Sequence, residues 1–356
     1  MSVDSLGVLE ALRAWPEHLA AAHERAANTL SHAAMPNIDD IDNVVFCGMG
    51  GSGIVGDVVT TVGSASLPVP SIVLKQYRTP GFVGRRTLVF AVSYSGNTEE
   101  TLSMAEGALD AGAHLVTISS GGALEELGTA RGRVHHLCSD AIPGPRLALG
   151  AMVAPALVTL FKMGFMPEAH AGLVIAQERL AQRRDECAPE VEGDRNPARE
   201  LARKIGRTIP LVYGMGGLGG VAAMRWKQSM NENAKVPAFW NQYPELDHNE
   251  ICGWGQHGDV TRQVLSLIEL RHGFAHARLI DRSAATRALV EEAVVQILEV
   301  EAGGEGRLAQ LLDLIYLGDW TSTYLALDQD VDPGPIDAIS QLKAMLGGAR
   351  AGEPSG

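Results

Sequence analysis

The densest chemical signal in the chain is Ser93-Tyr94-Ser95-Gly96-Asn97-Thr98-Glu99-Glu100-Thr101. It follows a continuous apolar run, Leu88 to Val92, and Asn97 and Glu100 have the spacing of a helix N-cap and its N3 partner. A helix that starts here presents free N–H groups and the positive end of its dipole, so an anion is favoured. Ser93, Ser95 and Thr98 add three hydroxyl donors. Such a cradle, without lysine or magnesium, suits a phosphate monoester that is held and not transferred. Taken alone, the segment also fits an ordinary Ser/Thr-rich capping turn. The anion reading gains from Gly51-Ser52, which follow a second apolar run, Val44 to Cys47. Adjacent parallel strands collect ligands at their C-terminal ends.

Four further side chains could move protons or hold charge. Glu232 lies in Arg225-Trp-Lys-Gln-Ser-Met-Asn-Glu-Asn-Ala-Lys-Val-Pro237, and Pro237 stops the helix. A carboxylate near the negative end of a helix dipole is disfavoured, which makes it a better general base; a solvated glutamate is the plainer alternative. His248 falls in Phe239 to Glu250, read as an aromatic- and Pro-containing loop, where an imidazole could exchange protons with a substrate. Lys343 falls between Ile336 and Ile339 on the apolar stripe of a terminal helix, so its ammonium either points into a site or snorkels to the surface. Arg146, in Pro143-Gly-Pro-Arg, starts a helix where a cation is electrostatically misplaced, and an anionic partner would explain it.

Two apparent signals are weak. Gly48, Gly50 and Gly53, and again Gly214, Gly216 and Gly219, spell G-x-G-x-x-G. The dinucleotide reading also needs an acid closing the next strand, but that strand ends Leu74-Lys75-Gln76. His272 and His276 have metal-ligand spacing without an evident acidic third ligand.

These groups need a scaffold. Short apolar runs at Val44–Cys47, Ser71–Leu74, Leu88–Val92 and Leu115–Ile118 alternate with helical stretches at Thr98–Ala111 and Leu147–Met163. That alternation reads as a doubly wound α/β domain with a parallel sheet. A second such unit begins at Thr208. Val44-Val-Phe-Cys-Gly-Met-Gly-Gly-Ser-Gly53 aligns with Pro210-Leu-Val-Tyr-Gly-Met-Gly-Gly-Leu-Gly219 at a constant offset, which suggests an internal duplication. Leu218 replaces the hydroxyl of Ser52, so the first loop is the better anion site. We expect an N-terminal domain over residues 1–164 led by one long amphipathic helix, a charged helical connector over 165–200, and a C-terminal domain over 201–356.

Composition narrows the partners. A net charge of −13 with no Lys/Arg-rich run argues against nucleic acid. The apolar run Leu147–Phe161 contains Pro155 and is shorter than the roughly 20 residues of a membrane helix. Four scattered cysteines give no disulfide framework. A cytoplasmic protein is expected, with no membrane partner.

Together the blocks G-M-G-G-S-G-I (48–54), S-Y-S-G-N-T-E-E-T (93–101), G-P-R (144–146), R-W-K-Q-S-M-N-E-N-A-K (225–235), P-E-L-D-H-N-E-I (244–251) and Q-L-K (341–343) resemble the bifunctional phosphoglucose/phosphomannose isomerases. That family is built from two sugar isomerase (SIS) domains, and the resemblance spans nearly the whole chain. It implies a phosphosugar held by Gly51, Ser52, Ser93, Ser95 and Thr98. His248 with Lys343 would open the ring, Glu232 would move a proton between C1 and C2 through a cis-enediolate, and Arg146 would stabilise the negative charge. It also implies no cofactor or metal, and a homodimer in which His248 reaches the site of the neighbouring subunit. A SIS isomerase for another phosphosugar and a non-catalytic sugar-phosphate-binding regulator are the alternatives.

Overall fold

Each short apolar run found in the sequence becomes a strand, and the glycine turns after Val44–Cys47, Leu88–Val92 and Leu115–Ile118 lead into helices. The computed structural model describes residues 3–349, with side chains through residue 346. In chain order the first half comprises α1 (Val8–Arg13), α2 (Trp15–Leu30), β1 (Asn43–Cys47), α3 (Gly50–Gly63), β2 (Ser71–Leu74), β3 (Thr87–Val92), α4 (Glu99–Asp110), β4 (His114–Ser119), α5 (Gly122–Ala130), β5 (Val134–Leu137) and α6 (Leu149–Lys162). α7 (Ala169–Cys187) and α8 (Pro197–Ile205) lead to the second half. There follow β6 (Ile209–Met215), α9 (Gly216–Ser229), β7 (Phe239–Tyr243), α10 (Gly258–Val264), β8 (Leu265–Arg271), α11 (Ala277–Val290), β9 (Gln296–Glu301), α12 (Arg307–Asp328) and α13 (Asp337–Ala349).

Both sheets are parallel. The first runs β2-β1-β3-β4-β5 and the second β7-β6-β8-β9. The first four strands of one sheet and the whole of the other share one order, as an internal duplication requires. β3 is buried along its whole length, while β2, at the sheet edge, is only half-buried. Glycine makes the strand-to-helix turns close. A Cβ on Gly214 would lie 2.0 Å from the carbonyl oxygen of Gly219, and one on Gly48 would lie 2.8 Å from that of Val92.

Two expectations change. The opening helix is two helices, because Pro16 at the start of α2 supplies no N–H to extend α1. Phe239–Tyr243 is strand β7 and not loop; the loop reading missed it because its residues are edge-strand residues, with Phe239 and Trp240 exposed. α12 is buried from Leu308 to Ala326 except at Gln310, and it packs against α7, α8 and α9. One apolar cluster runs from Trp15 and Phe46 through Trp226 to Trp320, so the two sheets share a core.

Candidate active site

The two βα turns at the carboxyl ends of β1 and β3 meet. Ser52 Oγ accepts from the backbone N–H of Tyr94 at 3.0 Å and donates to Met152 Sδ at 3.6 Å. Ser93 Oγ and Thr98 Oγ1 share a hydrogen bond of 2.7 Å. Thr98, not Asn97, is the N-cap of α4, and among the described residues no side chain caps that helix. Asn97 instead turns across the loop, donating from Nδ2 to Ser95 O and accepting from Ala123 N of α5 at 3.1 Å. Asn97 is thus drawn to α5, and the amino end of α4, where the helix dipole favours an anion, faces the hydroxyls of this loop. Ser52 and Ser93 are buried and brace the loops; Ser95 is exposed and Thr98 half-buried, so these two are the accessible hydroxyls. Gly51 is needed for close approach, since a Cβ there would lie 2.9 Å from Pro145 O and 3.1 Å from Arg146 N.

That approach brings Arg146 into the site. It is 4% exposed, and its partners are not anions. Nε donates to Asn233 Oδ1 at 2.8 Å, and Nη2 to the carbonyls of Pro333 and Gly334 at 2.8 and 2.6 Å. Burial lowers its pKa, while the charge of nearby Glu232 acts the other way. Nη1 carries no hydrogen bond among the described residues, which leaves it available to a ligand oxygen.

Glu232 does not end an ordinary α-helix. After Ser229 the chain widens into a π-turn over Met230–Ala234, a departure that often marks functional positions. The turn leaves Glu232 half-exposed and buries Asn233, whose Nδ2 donates to Ser322 Oγ of α12 at 3.0 Å. It closes at Lys235 with φ +58°, a left-handed conformation costly for a side-chain-bearing residue. Lys235 Nζ donates to the carbonyls of Glu232 and Pro335, the latter at 2.6 Å. Burial lowers the Lys235 pKa, and the charge of Arg146 adds to the effect. Beneath lies a buried ion pair, Arg225 to Asp319 at 3.0 Å; Arg225 also donates to Arg146 O at 2.7 Å. Desolvation pushes the Asp319 carboxyl up, against the pull of Arg225. Beside Glu232 opens a cavity of about 520 Å³, lined by Asn231, Lys235, Asp332, Pro335 and the first turn of α13.

The structure thus gathers Gly51, Ser52, Ser93, Ser95, Thr98, Arg146 and Glu232 within one chain. Lys343 stands apart. The apolar stripe of α13 exists, but Ile339, Leu342 and Leu346 are 40%, 56% and 60% exposed, and Lys343 is exposed with them. A stripe is buried only where a second surface meets it, and beyond the first turn the described chain offers none. His248 also stands apart. It is exposed, in a short 3-10 turn after the carboxyl end of β7. α9 runs back from the carboxyl end of β6, so Glu232 lies toward the amino end of β7, whose five residues span roughly 16 Å.

The second glycine loop is structural: Leu218 is buried, and a Cβ on Gly217 would lie 2.8 Å from Thr61 Oγ1 of α3. His272 Nε2 bonds Met215 O at 2.6 Å, and His276 accepts from Arg278 N, so this histidine pair serves the fold. Sequence reasoning missed Asn233, Lys235, Arg225 and Asp319. One available signal was Asp319, an acid inside the apolar run Leu308–Ala326.

Residues 194–346 match the family described as the bacterial phospho-glucose isomerase C-terminal SIS domain. The chain is 35% identical over 334 residues to a bifunctional phosphoglucose/phosphomannose isomerase from Caldicellulosiruptor bescii, covering 93% of this chain and 96% of the relative. It is 33% identical over 313 residues to one from Aquifex aeolicus, covering 85% and 90%. Among solved structures, a hypothetical protein from Thermus thermophilus shares the fold with a TM-score of 0.75 at 15% identity, covering 98% of this chain and 91% of that one. With this identity over nearly the full length of both chains, the chain belongs to the bifunctional phosphoglucose/phosphomannose isomerase family.

Proposed function

We propose that this chain interconverts glucose 6-phosphate and mannose 6-phosphate with fructose 6-phosphate. The observation that carries the reading is one half-exposed carboxylate, Glu232, held on a π-turn that is tied through Asn233 to Arg146, beside a hydroxyl-rich cradle. The cradle holds the phosphate through Ser95, Thr98 and the helix N-termini. Glu232 takes the proton from C2 of the aldose and returns it to C1. Arg146 stabilises the enediolate charge that develops between these steps, the kind of electrostatic help that commonly dominates. A coupled assay of purified protein against both aldose phosphates tests the reading. Glu232→Gln keeps the shape but cannot accept the proton, so kcat should fall ~10²–10⁴-fold while substrate still binds. Near-normal turnover in that variant overturns the assignment.

Ring opening falls to His248 with Lys343, and here the active unit is a homodimer with shared sites. Opposite ends of β7 are too far apart for Glu232 and His248 of one chain to act on a single hexose, which favours an imidazole from a second copy. Mixing Glu232→Gln protein with His248→Ala protein should then restore about a quarter of wild-type activity: random exchange makes half the dimers mixed, each with one intact site. A histidine serving its own chain gives no recovery. A reducing, cytoplasmic setting is part of the reading, supported by four unpaired cysteines, three of them buried. Among the described residues no helix is long and apolar enough to cross a membrane.

A further inference from the structure

We propose that Asp247 and Glu250 are positioning residues that hold His248 for the site of the second copy. The proposal rests on the two-chain reading above. An exposed imidazole on a free loop would sample many positions, and misplacement by about 1 Å can cost 100-fold in rate. The ring of His248 has no hydrogen-bond partner among the described residues, yet its neighbours are fixed on both sides. Asp247 accepts from Thr286 Oγ1 at 2.7 Å and from Arg282 Nη1 at 3.2 Å, both on α11. Glu250 accepts from the hydroxyl of Tyr213 on β6 and from Asn241 Nδ2 on β7 at 2.6 Å. Leu246 is fully buried between these anchors. Asn249 folds back, donating to Glu245 Oε1 at 2.8 Å and accepting from Glu250 N at 2.6 Å. Residues 247 and 250 are therefore tied to three elements and Leu246 is buried, while His248 between them is presented outward. The two acids do not touch substrate; they fix the backbone that carries the imidazole.

The test sorts lesions between subunits. Asp247→Ala and Glu250→Ala should each lower kcat about 10- to 100-fold with KM little changed, because the phosphate cradle belongs to the other chain. Mixed with Glu232→Gln under subunit exchange, either variant should recover toward a quarter of wild-type activity. Mixed with His248→Ala, neither should recover, since the loosened and the missing imidazole then spoil both sites. Recovery with His248→Ala, or with neither tester, overturns the proposal, as does wild-type kcat in the variants. Thr286→Val removes one anchor bond at nearly constant shape and should sort in the same way with a smaller loss, which covers misfolding of the alanine variants. The control mixture of Glu232→Gln with His248→Ala separates the two readings: if it fails to recover, the two-chain site falls, and the anchors acting across subunits fall with it.

Discussion

Adjacent residues 232 and 233 have opposite tasks, and the π-turn allows it. Glu232 is left at the cavity while Asn233 is 1% exposed and spends its amide on Arg146 and Ser322. Asn233→Ala would leave the buried Nε of Arg146 without an acceptor, a cost of about 1–3 kcal/mol. We expect a lower melting temperature together with a kcat reduced at least tenfold; an unchanged kcat would show that Arg146 holds its place without this bond. The hydroxyls divide in a similar way. Ser95→Ala with Thr98→Ala should raise KM for every phosphorylated substrate, roughly 10–150-fold per lost contact to a charged group, with kcat spared. Steady-state kinetics on glucose 6-phosphate and mannose 6-phosphate decide this, and an unaltered KM would place the phosphate elsewhere.

At the scale of elements, α6 shows how local breaks are repaired by neighbours. Pro155 cannot donate to Ala151 O, and Cys138 Sγ, just past β5, donates to that carbonyl at 3.5 Å. The same strand carries His136, buried, with Nε2 at 2.9 Å from Thr159 Oγ1 of α6 and Nδ1 without a partner among the described residues. Burial, with the nearby His135, lowers its pKa from 6.5 to about 4. The unfolded chain therefore takes up a proton between these values and the folded chain does not. The stability this group contributes is complete above pH 6.5 and is lost as the pH falls toward 4, with a slope of up to about 1.4 kcal/mol per pH unit. Urea melts across that window should show the loss. In His136→Leu the slope should be smaller by about one proton, and equal slopes would remove His136 as the cause.

At the scale of the whole molecule, the proposed two-chain site predicts that activity depends on concentration. Each chain carries −13, so two copies repel one another, and salt screens that repulsion over a Debye length of about 8 Å at 0.15 M. Specific activity should drop on dilution, earlier at low ionic strength, in step with the loss of dimer seen by light scattering. Constant specific activity through the dimer–monomer transition would mean that each chain works alone.

The sequence by itself determined what is encoded within a few residues. Apolar runs followed by glycine turns defined strands and helix starts, because a buried parallel strand and a close strand-to-helix turn each need particular residues at fixed spacing. The hydroxyl loop, Gly51 and the Arg225–Lys235 block were legible for the same reason. Tertiary structure decided the rest, through contacts between residues far apart in the chain. Arg146 looked as if it required an anion, yet it is held by carbonyls 187 and 188 residues away. Asn97 looked like the cap of α4, yet it serves α5. Lys343 lay on an apolar stripe whose spacing shows that it can be buried but not by what. Only the parallel pairing of β6 with β7 put Glu232 and His248 at opposite ends of one strand, because the direction of a strand is fixed by its neighbour in the sheet and not by its own residues.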